Sequence, residues 1–253
     1  MSILGMWMWP ENVRLYGAEK VISHCVRAKV TDIYFLTKGL AGTAAFKSAL
    51  APCDNERDLL GELITAAHAK GVRVHAWFTS ASDEHYKKLH PESGRCHFIK
   101  GKDREHISLA NDGYLNYMSD ITRELCRGYD IDGLHLDYIR YNHLIYGWSE
   151  EDLSRYAAEG ADTEHLKDMM RRMYCATEKE ENLLFDAYNA GDESALALAR
   201  TRRKDVIRFA RLLTDTARAE KSNLILSAAL MPEGAYDNIA FCSFFHSYTL
   251  GIT

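Results

Sequence analysis

Residues 132–141 read DGLHLDYIRY, and this stretch decides both the fold and the place of the chemistry. Alternate side chains of a β-strand share a face, so its two leucines lie on one face, and His135 and Asp137 lie on the other. A carboxylate that follows an apolar strand is costly to bury unless it is paired, bound to a ligand or functional. Asp137 is therefore the first candidate for a catalytic residue, and a structural ion pair with Arg140 is the alternative.

Apolar segments alternate with helical stretches on both sides of this strand. The predicted strands are Leu4–Trp9, Asp32–Thr37, Val72–Phe78, Asp132–Tyr138 and Leu224–Met231. The predicted helices cover about 17–28, 56–70, 114–127 and 193–220, with Asp112 as an N-cap and Gly71 as a C-cap. This order predicts a parallel sheet with right-handed crossovers. The long stretch between the fourth and fifth strands, about 149–191, is predicted to be a mostly helical insertion.

The faces of the strands favour a barrel over an open doubly wound sheet. The chain has no GxGxxG and no Walker A motif after its first strand. In the third strand one face is apolar and the other carries His75 and Trp77, whereas a sheet covered by helices on both sides is apolar on both faces. Barrel enzymes place their chemistry at the C-terminal ends of the strands. We therefore expect an α/β fold of the (β/α)8 TIM-barrel type, with Asp137 and Glu233 at that rim.

Aromatic and polar side chains cluster at the predicted strand ends. Flat aromatic rings suit the apolar C–H face of a pyranose, whose hydroxyls need polar partners. The predicted substrate-binding residues are Trp9, His75, Trp77, His135, Tyr138, Arg140 and Tyr141. Packing in the core is the alternative for the tryptophans, and a satisfied buried imidazole is the alternative for the histidines. No metal site is predicted, because the first strand reads GMWMW and lacks the HxH of barrel metallohydrolases.

Composition excludes several classes of partner. The 253 residues carry a formal net charge of −5, and the basic cluster at 200–204 lies in a helical pattern, so nucleic acid and anionic membranes are not expected. The six cysteines form no CxxC pair, which fits buried thiols in a reducing compartment. The N-terminus lacks the basic region of a signal peptide, so the chain as written is expected in the cytoplasm. The sequence does not set the oligomeric state.

DGLHLDYIRY resembles the signature of the glycosyl-hydrolase-like 10 family, bacterial barrel proteins related to glycoside hydrolases. Further similar segments are GVRVHAWF (71–78), RTRRKDVIRF (200–209) and LILSAALMPE (224–233). The resemblance implies cleavage of O-glycosidic bonds in a bacterial cell-wall or related polysaccharide, without a cofactor. By analogy with the α-amylase clan it implies Asp137 as the nucleophile and Glu233 as the acid/base, with Asp83 and Glu84 in reserve. The chain departs from the family at Asn142, where the motif usually continues with proline, and members are commonly exported.

The chain is also expected to hold only part of a barrel. Strands six to eight do not follow the fifth, so we expect one partial barrel over 1–241, truncated after strand five, and an irregular tail over 242–253. Two other functions stay open. The first is a non-catalytic carbohydrate-binding or degenerate barrel fragment, and the second is a barrel that binds flavin or phosphate.

Overall fold

The computed structural model describes residues 3–54, 56–180 and 182–230. The chain divides into two compact units. Among the described residues, the first unit comprises 3–91, 111–138 and 210–229, and the second comprises 92–110, 139–209 and 230. In chain order the elements are β1 (Gly5–Met8), α1 (Pro10–Tyr16), α2 (Ala18–Arg27), β2 (Asp32–Lys38), α3 (Leu59–His68), β3 (Arg73–Thr79), α4 (Glu84–Leu89), β4 (Gly94–His97), β5 (Gly101–Ile107), α5 (Asp112–Gly128), β6 (Gly133–Asp137), α6 (Glu150–Ala158), α7 (Thr163–Tyr174), α8 (Leu183–Asn189), α9 (Glu193–Glu220) and β7 (Ile225–Ala228).

The first unit is built on a five-stranded sheet with the order β1-β2-β3-β6-β7. Every neighbouring pair is parallel, so the predicted parallel α/β fold is confirmed. The strands follow one another across the sheet in chain order, whereas a doubly wound nucleotide-binding sheet reverses its order part-way. The five strands of the first unit are therefore arranged side by side in the order in which they occur in the chain.

One face of this sheet is apolar and packs against helices. The other face carries a mixture of apolar and polar side chains. Val74, Ala76 and Phe78 of β3 share the first face with Leu134 and Leu136 of β6, and all five are buried. Burying each large side chain of this kind stabilises the fold by about 1.5–3 kcal/mol. The helices that cover this face, α3 and α5, are rich in buried leucine, alanine and methionine. The alternation in DGLHLD thus predicted the two faces of β6 correctly.

Side-chain caps define where the two covering helices begin. The carboxylate of Asp58 accepts a hydrogen bond from the Gly61 amide at 3.0 Å and starts α3. The Asn111 side chain accepts from the Tyr114 amide at 2.8 Å and starts α5. The predicted N-cap, Asp112, is therefore wrong by one residue: it is the first helical residue, where its negative charge still suits the helix dipole.

Four short elements were missed by the sequence patterns. The seven-residue helix α1 starts at Pro10, which suits a first helical position, but it buries only Val13 and so has no apolar periodicity. Helix α4 has six residues and buries only Tyr86. In the second unit β4 and β5 form an antiparallel pair, and β5 contains the charged run KDRE in place of alternating apolar residues.

The second unit has a helical core of its own. Helices α6, α7 and α8 bury large side chains that include Tyr156, Leu166, Met170 and Leu184, together with alanines at the start of α9. Ser149 caps α6 through the Asp152 amide at 3.0 Å, and Asp162 caps α7. The predicted helical character of 149–191 is thus confirmed. Within the described part of the chain no helix is long and apolar enough to cross a membrane.

Candidate functional site

Asp137 ends β6, and its carboxylate is held by two N–H donors. The indole Nε1 of Trp77 donates to Oδ2 at 3.1 Å, and the main-chain N–H of Tyr138 donates to Oδ1 at 2.8 Å. Asp137 lies opposite Thr79 in the register of β3 and β6, which places Trp77 one side-chain repeat away on the same face. Its main-chain oxygen also accepts from the Ser80 amide at 2.8 Å. The carboxylate is partly exposed, so it is oriented but accessible.

The backbone turns sharply directly after this carboxylate. Tyr138 has a φ of 57°, in the left-handed region that residues other than glycine rarely adopt. Such a conformation costs roughly 1–3 kcal/mol and persists where the surroundings impose it, commonly at functional sites. Here the turn directs the Tyr138 N–H onto the Asp137 carboxylate.

Two tryptophans, Trp7 and Trp9, lie beside the Trp77–Asp137 pair. The ring centroids of Trp9 and Trp77 are 5.5 Å apart with the rings nearly perpendicular, and those of Trp7 and Trp77 are 6.4 Å apart. Trp77 is 7% exposed, whereas Trp9 is 50% exposed. Edge-to-face contacts of this kind fix aromatic rings relative to one another. The cluster therefore presents two exposed indoles, Trp7 and Trp9, beside a buried indole that holds the carboxylate.

His135 lies one side-chain repeat before Asp137 on the same strand face. It is 4% exposed, and its Nδ1 is 2.9 Å from the Ser227 hydroxyl. Among the described residues its Nε2 has no hydrogen-bond partner. Burial, with a smaller contribution from His75, lowers the pKa of His135 to about 4, so the imidazole is neutral near pH 7. It can offer one ring nitrogen to a ligand without adding charge.

His75 lies deeper on this face, towards the N-terminal ends of the strands. Its Nε2–H donates to Asp32 at 2.8 Å, and Arg73 donates to both oxygens of the same carboxylate at 2.7 and 2.9 Å. Burial opposes ionisation of Asp32, but these hydrogen bonds outweigh it and lower the pKa to about 2. A Cβ at Gly133 would lie 2.1 Å from His75 Nδ1, so only glycine leaves room for this ring. The geometry favours the structural alternative for His75.

The two reserve acids occupy different environments. Asp83 is fully buried, forms an ion pair with Lys38, and caps α4 by accepting from the Tyr86 amide at 2.7 Å. Burial lowers the pKa of Lys38 although Asp83 opposes this, and the ammonium lies 5.7 Å from the centre of the Tyr117 ring. Glu84 is exposed and pairs with Lys88 at 3.1 Å. Asp83 is thus committed to a buried pair, and Lys38 is its partner that the sequence analysis did not single out.

Arg140 and Tyr141 belong to the second unit. Tyr141 is 1% exposed, and its hydroxyl donates to Asp205 at 2.5 Å. Its ring lies between the guanidinium groups of Arg95 and Arg202, at 4.9 and 4.7 Å from the ring centre. Burial raises the pKa of Tyr141 well above its usual value. The main-chain oxygen of Arg140 accepts from Arg95 at 2.6 Å, so this part of the motif is anchored within the second unit.

Glu233 lies outside the described residues. In the described ranges 3–54, 56–180 and 182–230, no group of three or more His, Cys, Asp or Glu side chains could hold a metal ion.

The site in the first unit is thus a carboxylate at a strand end, held by an indole and surrounded by aromatic rings. The sequence profile described as glycosyl hydrolase-like 10 matches residues 42–249. The chain belongs to the glycosyl hydrolase-like 10 family. The resemblance drawn from DGLHLDYIRY is confirmed, and no curated protein matches the chain.

Several solved structures of glycosidases share the fold of this family member. The PgaB (BpsB) glycoside hydrolase domain from Bordetella bronchiseptica aligns with a TM-score of 0.72 and 12% identity, over 98% of this chain and 70% of that one. Alpha-L-fucosidase isoenzyme 2 from Paenibacillus thiaminolyticus gives 0.63 and 20%, over 89% and 31%. The beta-galactosidase from Marinomonas ef1 gives 0.61 and 13%, over 90% and 37%. The chain therefore spans about a third of the length of the last two proteins.

Proposed function

We propose that this chain acts on carbohydrates as a glycosidase that cleaves O-glycosidic bonds in a bacterial cell-wall or related polysaccharide. The observation that carries the proposal is the Asp137 carboxylate, oriented by Trp77 and Tyr138 at the C-terminal end of β6. Membership of the glycosyl hydrolase-like 10 family supports the same reaction class. No cofactor takes part in the proposed reaction.

The five parallel strands are proposed to form part of a (β/α)8 barrel. Their order across the sheet follows the chain, as it does in a barrel. The polar and aromatic face of β3 and β6 then corresponds to the barrel interior. In this arrangement Asp137 stands at the rim where barrel enzymes bind their substrates.

Asp137 is proposed as the nucleophile of a retaining mechanism. Its ionised oxygen attacks the anomeric carbon, and the bond from that carbon to the leaving oxygen breaks as Glu233 supplies a proton. Glu233 then accepts a proton from water, and the water oxygen displaces Asp137 from the anomeric carbon. Two N–H donors stabilise Asp137 in the ionised form that this attack requires. His135, Trp9 and Tyr138 are proposed to contact the sugar.

Replacement of Asp137 tests this role. We expect Asp137→Asn to lower the release of reducing sugar from a sensitive polysaccharide by about 10³-fold or more, because the amide cannot form the covalent intermediate. Asp130→Asn is the matched control, since Asp130 is 83% exposed and pairs only at the surface with Lys221 and His68. The smaller variant Asp137→Gly leaves room for azide, which should restore turnover as a glycosyl azide of inverted configuration. Wild-type turnover in Asp137→Asn would exclude Asp137 as the nucleophile.

A non-catalytic carbohydrate-binding role is the second candidate. One observation favours it: Asp83, one of the reserve acids, is locked in a buried ion pair and cannot serve as a proton donor. This role predicts that wild type and Asp137→Asn bind the same glycans with equal affinity while neither cleaves them. Calorimetric binding measured beside the activity assay separates the two candidates.

A further inference from the structure

We propose that the cleft between α1 and the segment after β2 is a second sugar subsite, so that the substrate is an oligosaccharide of low negative charge. This inference rests on the proposed function and deepens it. The cleft has a volume of about 530 Å³, within the usual range of about 300–1,000 Å³ for ligand pockets. Its walls include Trp9, Glu11, Arg14, Leu36 and Asp54, with residues 39–41 and 43–45 of the loop after β2.

The cleft opens at the C-terminal ends of the strands, where the candidate nucleophile also lies. Trp9 directly follows β1, and Leu36 lies near the end of β2, so both stand at the C-terminal side of the strands. Trp9 forms one wall of the cleft and contacts Trp77 at 5.5 Å, and Trp77 holds Asp137. A glycan that has one unit at Asp137 therefore meets the exposed indole of Trp9 and then the cleft.

The polar wall of the cleft is fixed before any ligand binds. Arg14 Nη1 donates to Asp54 at 2.6 Å, and Asp54 also accepts from the amides of Glu56 at 2.8 Å and Arg57 at 3.2 Å. The Arg57 side chain returns a hydrogen bond to the Arg14 carbonyl at 3.1 Å. The Glu56 amide, followed by Arg14, lowers the pKa of Asp54 to about 2. Because this wall is already formed, ligand binding costs little free energy for ordering its side chains.

The opposite wall is a loop tied to itself and to its neighbours. The Gly39 amide donates to the Thr43 carbonyl at 3.1 Å, and the Ala44 amide donates to the Pro52 carbonyl at 2.7 Å. Gly42, with a φ of 83°, packs against the buried carboxylate of Asp83 so closely that a Cβ would lie 2.0 Å from its oxygen. The loop is thereby held in one conformation that leaves the cleft open.

The chemistry of the lining fits a polyhydroxylated ligand. The exposed face of Trp9 suits the apolar side of a pyranose, while Arg14 donates and the carboxylates of Glu11 and Asp54 accept hydrogen bonds from hydroxyls. One cation against two anions leaves the cleft with a net negative charge. Polyanionic glycans are therefore expected to bind more weakly than uncharged ones of the same length.

Titration calorimetry on Asp137→Asn tests the subsite without turnover. The probes are chito-oligosaccharides of one to six units and oligogalacturonides of the same lengths. We expect the affinity for chito-oligosaccharides to rise about tenfold or more between the short and the long probes, and the galacturonides to bind at least about tenfold more weakly at equal length.

A bulky residue in the cleft then separates the subsite from the rest of the site. Thr43→Trp, combined with Asp137→Asn, should remove the gain with length and leave the shortest probes unaffected, since Thr43 is exposed on the cleft wall. Thr65→Trp is the matched control, because Thr65 is exposed on α3 away from the cleft. Affinity independent of length, unchanged binding in Thr43→Trp, or no binding of any probe would overturn the subsite. Length-dependent binding without cleavage by the wild type would instead overturn the hydrolase and keep the subsite.

Discussion

The indole of Trp77 and the carboxylate of Asp137 are joined by a hydrogen bond of 3.1 Å between adjacent parallel strands. The two residues are 60 positions apart in the chain, and only the register of β3 against β6 brings them together. The contact is directional, because a single N–H points at one carboxylate oxygen. Neither phenylalanine nor leucine at position 77 could donate this hydrogen bond.

Replacing Trp77 by phenylalanine is expected to reduce turnover while leaving substrate affinity nearly unchanged. A hydrogen bond to a charged acceptor contributes about 1.5–3 kcal/mol, so kcat should fall by about 10- to 100-fold as Asp137 loses its orientation. Steady-state kinetics on Trp77→Phe checks the split between kcat and KM. Trp7→Phe is the control, because the Trp7 ring touches the same cluster without a described hydrogen bond to Asp137. An increase in KM alone would mean that Trp77 serves only as a binding platform.

The buried Lys38–Asp83 pair should respond asymmetrically to mutation. Asp83→Asn leaves the Lys38 ammonium buried without a counter-ion and is expected to lower the free energy of unfolding by about 3–5 kcal/mol. The double variant Lys38→Met/Asp83→Asn should recover part of this loss, since no buried charge remains and asparagine still caps α4. Urea denaturation measures both values. Glu84→Gln is the exposed control, and an equal loss in the single and double variants would refute the argument.

Stability should fall as the pH drops from about 6.5 to 4 because of His135. Its pKa is about 4 in the folded chain against a usual 6.5, so in this window the unfolded chain binds a proton that the folded chain refuses. The contribution is fully present above pH 6.5 and its loss reaches at most about 3 kcal/mol near pH 4. Denaturation midpoints across this range should show a smaller slope in His135→Gln than in wild type. His24→Gln, at an exposed site, should keep the wild-type slope.

The edge of β1 that faces away from β2 is expected to make the chain associate. Among the described residues β1 pairs only with β2, and beside its other edge lies an apolar groove of about 720 Å³ lined by Met6, Trp7 and Val21. Unpaired strand edges and exposed apolar patches favour contact between copies. Size-exclusion chromatography should show oligomers that Met6→Lys reduces and Leu15→Lys, on α1, does not. A clean monomer with a sharp cooperative melt would show that this edge is harmless.

Local sequence patterns were sufficient to predict the strands of the parallel sheet and the long helices. Alternation in DGLHLD separated Leu134 from His135, and polar residues ahead of apolar runs marked the starts of α3 and α5 to within a few residues. Helix α1 and the β4–β5 pair escaped because short or highly charged segments carry no clear period. The position of Asp137 at a strand end followed from the same alternation, whereas its role stays a prediction.

Partners that are distant in the chain could not be predicted. Lys38 and Asp83 are 45 positions apart, and Asp32 and His75 are 43 apart, so no local pattern links them. A signal for Lys38 did exist, because a charged residue after the apolar strand DIYFLT raises the same question as Asp137 after GLHL. Tyr141 contacts two guanidinium groups because β4 supplies Arg95 and α9 supplies Arg202. The motif DGLHLDYIRY alone could not predict either contact.

The left-handed backbone conformation at Tyr138 limits which residues can be introduced at this position. Glycine and asparagine adopt such a φ most readily, while β-branched residues do so at the greatest cost. A mutant library at position 138 should therefore yield folded proteins mainly with Gly, Asn, Asp or an aromatic residue, and few with Val, Ile or Thr. Residue 138, next to the candidate nucleophile, can therefore be replaced by only these few residue types. New substrate specificities are better sought by mutating Trp9 or Thr43.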